Sequence, residues 1–188
     1  DGAVVVCDAS CLERNLNLVL QIQELVPQVL VCVNLMDEAG KRHIHIDLPA
    51  LSKALGVPVI GTSARDKQSL DAFCDALDSF MDNKSIGSIP VVYPPILESA
   101  LTILEPVIGE TAGSHLPSRW LALRLLEWQM NPQRGAFAPS YLSLRKNPRI
   151  LQALSEARQL LNAAGIGEEE LSDLITTALF HRAEAICQ

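Results

Sequence analysis

Two short polar segments carry the residue types in this sequence that are best suited to binding chemistry. Asn34 and Asp37 stand three residues apart after one apolar run, and Thr62-Ser63-Ala64 follows another. A carboxylate such as that of Asp37 accepts hydrogen bonds from two adjacent donors at once, whereas the Asn34 amide can both donate and accept. This combination predicts a site for a planar ligand that has neighbouring N–H groups on one edge and acceptors on another.

Guanine has this pattern of donors and acceptors. Its N1–H and 2-amino group are adjacent donors for the Asp37 carboxylate, and its acceptor edge matches the Asn34 amide and a backbone N–H near Ala64. Ser63 is expected to hold the second loop in place. Adenine has an acceptor at N1, which the same carboxylate would repel. The residues therefore favour a guanine base over an adenine base.

Simpler roles for the same residues stay open at this stage. The tetrad Asn-x-x-Asp occurs often by chance, and only its position after a buried strand gives it weight. Asp37 would also serve as the N-cap of a following helix, and Asn34 as a turn residue.

The elements that must position these residues alternate between strand and helix over the first 82 residues. Short apolar runs predict strands at Ala3–Cys7, Val29–Val33 and Val57–Ile60, with a helix at Leu12–Leu25 between the first two. Asp47 is the expected N-cap of a further helix, with Pro49 in its first turn and Gly56 at its end. Another helix is expected after Ala64. Such repeats predict an α/β fold with a parallel sheet, whose strand ends bring the polar segments to one edge.

The pattern changes at Asn83. Residues 83–95 are predicted to form a linker, because several prolines make a central strand unfavourable there. Helices are then expected at about 96–108, 118–129, 148–164 and 168–186, with breaks at Gly109/Gly113, at Asn131-Pro132 and at Gly165-Ile166-Gly167. We therefore predict residues 1–82 as the α/β part and residues 96–188 as a small all-helical domain.

Composition excludes several classes of protein. The 188 residues contain 15 Lys and Arg against 22 Asp and Glu, so the net charge is −7 and no basic surface for nucleic acid is expected. No apolar stretch reaches the ~20 residues of a membrane-spanning helix. The five cysteines are odd in number and scattered, which favours a reducing compartment without disulfides. The first residue is Asp1, and we expect the chain to be a piece of a longer protein.

Four segments carry a resemblance to a known family. Residues 5–18 (VVCDASCLERNLNL) strongly resemble a stretch of FeoB, the bacterial and archaeal ferrous iron transport protein with an N-terminal G domain. Asn34-Leu35-Met36-Asp37 looks like its guanine-specificity motif, and residues 59–65 (VIGTSAR) are similar to its last base-binding loop. Residues 118–127 (SRWLALRLLE) resemble a signature of the helical domain that follows. The resemblance covers nearly the whole chain.

The resemblance implies a function for the chain as part of a larger protein. It implies the later part of a GTP-binding domain and a helical domain that regulates nucleotide release and couples to a membrane iron channel. The implied site residues are Asn34, Leu35, Asp37, Thr62, Ser63 and Ala64. The parent protein would use GTP or GDP with Mg²⁺, at the cytoplasmic face of the cell membrane. Its partners would be guanine nucleotide, the rest of the G domain and the membrane domain, with no nucleic acid.

The sequence also departs from the family pattern. It contains no G-x-x-x-x-G-K-S/T phosphate loop, and its one Gly-Lys pair, Gly40-Lys41, is not followed by Ser or Thr. Leu35 stands where the usual motif has a lysine, although an apolar side chain can still pack on a base. We therefore expect no catalytic residues in this chain, and neither tight nucleotide binding nor hydrolysis by the chain alone.

Iron ligands are not indicated by spacing. Cys7 and Cys32 lie within apolar strands, while Cys11, His43 and His45 lack a third ligand at a suitable spacing. We expect no metal site. A partial sheet would leave an exposed edge and one uncovered face, so either self-association or a displaced N-terminal segment is expected. Two other functions stay open: a non-catalytic interaction or regulatory module, and a part of another GTPase of the translation-factor type.

Overall fold

The computed structural model of the protein describes residues 2–82, 89–111, 116–130 and 144–188. Three strands form one sheet: β1 (Ala3–Asp8), β2 (Val29–Asn34) and β3 (Val59–Gly61). The α-helices are α1 (Leu12–Leu25), α2 (Met36–Lys41), α3 (Leu48–Leu55), α4 (Lys67–Asp82), α5 (Pro95–Thr111), α6 (Ser118–Met130), α7 (Pro148–Ala163) and α8 (Glu168–Cys187). The α/β prediction for the first part, followed by a helical part, is confirmed.

The contacts divide the chain into two compact units. The first contains the described residues up to Val91 together with Leu179–Gln188, and the second contains the described residues of Val92–Ala178. The end of α8 thus belongs to the first unit, where the Arg182 guanidinium donates a hydrogen bond to the Ala54 carbonyl at 2.8 Å. The domain limits predicted from the sequence stay a prediction.

The sheet of the first unit is parallel throughout, in the order β1-β2-β3. Every residue of β2 from Val29 to Val33 is buried, as its unbroken apolar run predicts for a central strand. Strand β1 alternates instead. Val5 and Cys7 are buried, whereas Val4 and Val6 are 40% and 60% exposed. One face of β1 is therefore apolar and uncovered in the described part of the chain.

Local sequence signals fix most element ends. The Asp47 carboxylate accepts the Ala50 N–H at 2.9 Å, and Gly56 ends α3 in the left-handed conformation at φ 72°, so the predicted cap and stop are confirmed. Strand β3 begins at Val59 rather than Val57. The Val57 carbonyl accepts the Ser52 hydroxyl at 2.7 Å, and Pro58 has no N–H to donate, so these two residues cannot pair fully as strand.

The second unit is a helical bundle in which α5 packs against α6 and α7. Its core is almost entirely aliphatic: Leu97, Leu101, Leu104, Ile108, Leu121, Leu125, Ile150, Leu154 and Leu161 are all buried. The predicted end of the first helix near Ile108 is three residues early, because α5 continues through Gly109 to Thr111, and Gly113 lies outside the described residues. A glycine inside a helix costs only about 1 kcal/mol relative to alanine, and burial of Leu104 and Ile108 next to it outweighs that cost.

An arginine of the helical signature organises this bundle. Arg119 donates to both carboxylate oxygens of Glu98, at 2.6 and 2.9 Å, and to Glu105 at 3.1 Å. The guanidinium also lies 5.5 Å from the centre of the Tyr93 ring, and the Tyr93 N–H donates to Glu98 at 2.8 Å. Arg119 thereby ties α6 to α5 and to the segment before α5. The neighbouring Trp120 is half-buried.

Within the described residues, no helix is both long and apolar enough to cross a bilayer.

Candidate functional site

The two polar segments predicted from the sequence lie beside each other at the carboxyl edge of the sheet. Two hydrogen bonds join their backbones to the strands and to each other. The Thr62 N–H donates to the Val33 carbonyl at 2.7 Å, and the Met36 N–H donates to the Thr62 carbonyl at 3.1 Å. The loop after β3 is thus bonded to β2 on one side and to the start of α2 on the other, although the two segments are far apart in sequence.

The side chain of Thr62 continues this connection inside the protein. Thr62 is 4% exposed, and its hydroxyl donates to the Asn34 side-chain oxygen at 3.2 Å. The Cys32 sulfur lies 3.2 Å from the same hydroxyl oxygen. Since a hydroxyl has one hydrogen and Thr62 directs it to Asn34, the Cys32 thiol is the donor of that contact. Asn34 is therefore held at the end of β2 by a buried chain of three polar side chains.

Ser63 holds the start of the acidic segment. Its hydroxyl oxygen accepts the Asp37 N–H at 3.1 Å, and its carbonyl accepts the Asp66 N–H at 2.8 Å, which closes a turn around Ala64. Asp37 itself is half-buried in the first turn of α2. It is not the N-cap, because that position belongs to Leu35. An acidic residue in the first turn is favoured by the helix dipole.

Leu35 has an unusual backbone conformation that shapes the site. Its φ of 63° and ψ of 33° lie in the left-handed region, which costs a non-glycine residue roughly 1–2 kcal/mol. The Leu35 carbonyl accepts the N–H groups of Glu38 and Ala39, both at 3.0 Å. This sharp turn lets α2 begin directly after β2 and leaves the Leu35 side chain 38% exposed at the edge of the site. Backbone strain of this kind concentrates at functional sites.

Two groups in the site have no hydrogen-bond partner within the described chain. The Ala64 N–H, at the exposed turn, meets no hydrogen-bond acceptor there, and no described group donates to the Asp37 carboxylate. One donor and one acceptor of hydrogen bonds are thus presented at the same edge of the sheet. All six residues predicted from the sequence lie in the two segments at this edge, residues 34–37 at the junction of β2 and α2 and residues 62–64 after β3: Asn34, Leu35, Asp37, Thr62, Ser63 and Ala64.

Sequence reasoning missed two residues that support the site. Cys32 was predicted only as a buried strand residue, which is confirmed, yet its thiol also contacts Thr62. Ser69, in the first turn of α4, accepts the Ser63 N–H at 2.7 Å. A serine near a helix start is common, so no pattern in the sequence marked it.

A third strand end contributes a polar residue to the same edge. Asp8 lies opposite Asn34 in the β1–β2 register. Its carboxylate accepts from both the hydroxyl and the N–H of Ser10, each at 2.7 Å. These hydrogen bonds from Ser10 hold the pKa of Asp8 below its usual value. Asp8 thus stays ionised and fixes the turn that leads into α1.

The cysteines and histidines considered as metal ligands differ in their surroundings. Cys7 is buried, and burial raises the pKa of its thiol to about 11, so it stays protonated at neutral pH. His43 and His45 lie exposed in the loop after α2. Across the described ranges, no group of three or more His, Cys, Asp or Glu residues is arranged to hold a metal ion.

A separate cavity of about 860 Å³ lies elsewhere in the first unit. It is bounded by the start of α1, the residues before α3 and the end of α8, including Cys11, His45, Phe180 and Cys187. None of the six predicted site residues lines it. The two polar loops therefore form an open edge rather than part of this cavity.

Comparison with known proteins gives two matching family models. One, described as "Ferrous iron transport protein B", matches residues 1–77, and the other, "FeoB cytosolic helical domain", matches residues 93–188. A Porphyromonas gingivalis fusion protein of Fe(2+) transport protein A and Fe(2+) transporter FeoB is 38% identical over 131 residues. The Fe(2+) transporter FeoB of Escherichia coli is 34% identical over 130 residues. Each alignment spans 68% of this chain and 16% of the relative, so the chain corresponds to a small share of those proteins.

Solved structures have the same fold. A mutant of S. thermophilus NFeoB bound to GDP matches with a TM-score of 0.79 at 22% identity, over 100% of this chain and 68% of that one. The cytosolic domain of the T. maritima FeoB iron transporter in a GDP form matches with a TM-score of 0.73 at 24% identity, over 98% and 64%. The second family model alone covers half of the sequence, and the first covers most of the remainder. The chain belongs to the FeoB family, as part of its G domain followed by its cytosolic helical domain.

Proposed function

We propose that the first unit recognises the guanine base of GTP or GDP at the edge formed by residues 34–37 and 62–64. Asp37 accepts hydrogen bonds from N1–H and the 2-amino group, and the Ala64 N–H donates to O6. The Leu35 side chain covers one face of the ring, while Asn34 holds the loop through Thr62. The observation that carries this proposal is the pair of hydrogen bonds that join Met36 and Asp37 to the loop at Thr62 and Ser63.

The chemistry of the free groups supports guanine rather than adenine. A carboxylate and a backbone N–H at one edge match a base with two adjacent donors beside a carbonyl oxygen. Adenine has an amino group where guanine has O6, and an acceptor where guanine has N1–H. The Ala64 N–H would then face a donor, and the Asp37 carboxylate would face an acceptor. ADP is therefore expected to bind more weakly than GDP.

The phosphates and Mg²⁺ belong to the longer parent protein in this proposal. We infer that residues outside this sequence hold them, because the sequence contains no phosphate loop, and we assign no residue of this chain to Mg²⁺. The parent is proposed to be a ferrous iron transporter at the cytoplasmic face of the membrane. In it, the second unit would regulate nucleotide release and connect the G domain to the membrane domain.

A second candidate function is that of an interaction module. The open edge of β1 and its exposed residues Val4 and Val6 favour it, because an unpaired parallel strand with an apolar face offers a surface for another strand. In the parent this surface would take the remainder of the G domain. In the chain alone it would support self-association.

The base-recognition proposal is tested by titrating the full chain with GDP, ADP and XDP while the backbone amide signals are recorded by NMR. We expect weak binding of GDP that shifts signals of residues 34–37 and 62–64, and weaker binding of ADP. In the Asp37→Asn variant the new amide donates to the 2-carbonyl of xanthine and no longer accepts from the 2-amino group of guanine. The preference should therefore change from GDP to XDP.

Asp78→Asn is the matched control, because Asp78 is exposed near the end of α4. It should leave the order of affinities unchanged. Equal affinity for GDP and ADP, or shifts confined to residues outside the two loops, would refute guanine recognition and leave the interaction module as the function of this chain.

A further inference from the structure

Ser69 makes a contact that no sequence motif indicates. It is the third residue of α4 and is half-buried. Its hydroxyl oxygen accepts the Ser63 N–H at 2.7 Å, one of the shortest side-chain contacts of the first unit. Serine hydroxyls at this point of a helix usually face solvent or the helix's own cap. Here the cap is supplied by Asp66, which accepts the Gln68 N–H at 3.1 Å, so the Ser69 hydroxyl is available to the preceding loop.

The contact completes the fixation of Ser63. The hydroxyl oxygen of Ser63 accepts from Asp37 at 3.1 Å, its carbonyl accepts from Asp66 at 2.8 Å, and its N–H donates to Ser69. All three polar groups of this residue are therefore engaged, one with α2 and two with the start of α4. The contact with Ser69 fixes the peptide plane before Ser63, and the contact with Asp66 fixes the plane after it, which carries the Ala64 N–H. Because both planes are held, the direction of the Ala64 N–H relative to the rest of the loop is fixed.

We propose that Ser69 is a positioning residue for guanine recognition, which orients the Ala64 N–H toward O6 of the base. This inference rests on the base-recognition function proposed above. Without the Ser69 hydroxyl, the Ser63 N–H lacks an acceptor in a half-buried place, and the peptide plane that it shares with the Thr62 carbonyl is held only by the Met36 N–H. The turn around Ala64 then becomes mobile, and its N–H is no longer held in one direction before the base binds.

The proposal predicts a particular pattern of nucleotide affinities. Ser69→Ala should weaken GDP and IDP by the same factor, about 5-fold, because both bases carry O6 and the cost is that of one neutral hydrogen bond. The GDP-to-IDP ratio should stay unchanged, since it reports the contact of Asp37 with the 2-amino group that only guanine has. ADP, which lacks O6, should bind as weakly as before. General loosening of the site would instead change the GDP-to-IDP ratio as well.

The experiment uses the full chain and three variants. Ser69→Ala removes the hydroxyl, and Ser69→Thr keeps it. Ser79→Ala is the matched control, because the Ser79 hydroxyl on the same helix donates to the Asp75 carbonyl at 2.9 Å and lies outside the loop. Two quantities are measured by NMR: hydrogen exchange of the Ser63 amide without nucleotide, and the dissociation constants for GDP, IDP and ADP. We expect at least ~10-fold faster exchange and the affinity loss in Ser69→Ala, recovery in Ser69→Thr, and neither effect in Ser79→Ala.

The outcomes separate this inference from the function on which it rests. Unchanged exchange of the Ser63 amide in Ser69→Ala would overturn the role of Ser69. Faster exchange with unchanged GDP affinity would also overturn it, because the contact would then be purely structural. A wild-type chain without preference for GDP over ADP would refute the base-recognition function itself, and the positioning role with it.

Discussion

At the scale of single residues, Thr62 and Ser63 fix the geometry of the proposed site through hydrogen bonds. Each uses its side chain and both backbone polar groups, and together they contact β2, α2 and α4. A buried or half-buried polar group that lacks a partner costs about 1–3 kcal/mol, so a fully bonded pair of residues specifies one loop geometry strongly. We infer that hydrogen bonds from hydroxyl and amide groups are enough to hold the proposed binding edge in one geometry.

The ion pair of Glu98 and Arg119 in the second unit predicts that the stability of this unit depends on pH. The hydrogen bonds from Arg119, followed by the Tyr93 N–H, lower the pKa of Glu98 below its ordinary value of 4.5. A carboxyl whose pKa is lower in the folded state contributes stability above its unfolded pKa and loses it as pH falls through the folded pKa. The stability of the second unit should therefore fall as pH drops below about 4.5.

Glu98→Gln tests this pH dependence. At pH 7 it should lower the free energy of unfolding by ~1–2 kcal/mol, since a charge-assisted bond becomes a neutral one. The difference from wild type should shrink as pH falls below the value for a free carboxyl. Urea denaturation followed by the fluorescence of Trp120 and Trp128 measures both quantities. Glu156→Gln, exposed on α7, is the control, and an equal pH dependence in wild type and Glu98→Gln would contradict the assignment.

At the scale of elements, two glycines with different backbone conformations predict opposite changes in the free energy of unfolding when each is replaced by alanine. Gly40 lies within α2, and Gly165 precedes α8 with φ of 75°. A Cβ added at either position meets no atom within 4 Å, so contacts do not separate the two sites. Only the backbone conformation differs.

Gly40→Ala should therefore raise the free energy of unfolding by about 1 kcal/mol, because alanine favours the helix and loses less entropy on folding. Gly165→Ala should lower it by about 1 kcal/mol, because alanine is strained in the left-handed region. Urea denaturation followed by circular dichroism measures both changes. Effects of the same sign would show that backbone conformation does not decide stability at these positions.

At the scale of the whole molecule, the uncovered face of β1 is the feature with the largest consequence. Val6 is 60% exposed in the middle of a strand, next to Val4 at 40%. Exposed apolar residues on an edge strand favour pairing with another chain. We expect concentration-dependent self-association of the chain in sedimentation velocity experiments.

Val6→Lys should shift that association to at least ~10-fold higher concentration, because a lysine on an edge strand opposes pairing. Val92→Lys is the matched control. Val92 is 78% exposed outside any strand, and the substitution changes the net charge of the chain equally. A monomeric wild-type chain at all concentrations, or an equal effect of both variants, would contradict pairing through this strand.

Local patterns in the sequence determined most elements of the protein. The unbroken apolar runs, the Asp47 cap and the Gly56 stop depend on neighbours within a few residues, and so do the six residues proposed to form the base-binding edge. Two element ends differ from the prediction: α5 continues through Gly109, and β3 begins at Val59 rather than at Val57. At Gly109, burial of the neighbouring apolar residues outweighs a glycine penalty of about 1 kcal/mol, whereas at β3 the cause is local: the Ser52 hydroxyl bonds the Val57 carbonyl, and Pro58 has no N–H.

Only the tertiary structure decided how the site is held. The tertiary structure brings the Cys32 thiol to Thr62, gives Leu35 a left-handed conformation and places the Ser69 hydroxyl beside the Ser63 N–H. No pattern in the sequence indicates these three features. It also decided that the last ten residues belong to the first unit. The physical reason is that hydrogen bonds and burial depend on distance in space, whereas a sequence pattern reports only the periodicity and caps of one element at a time.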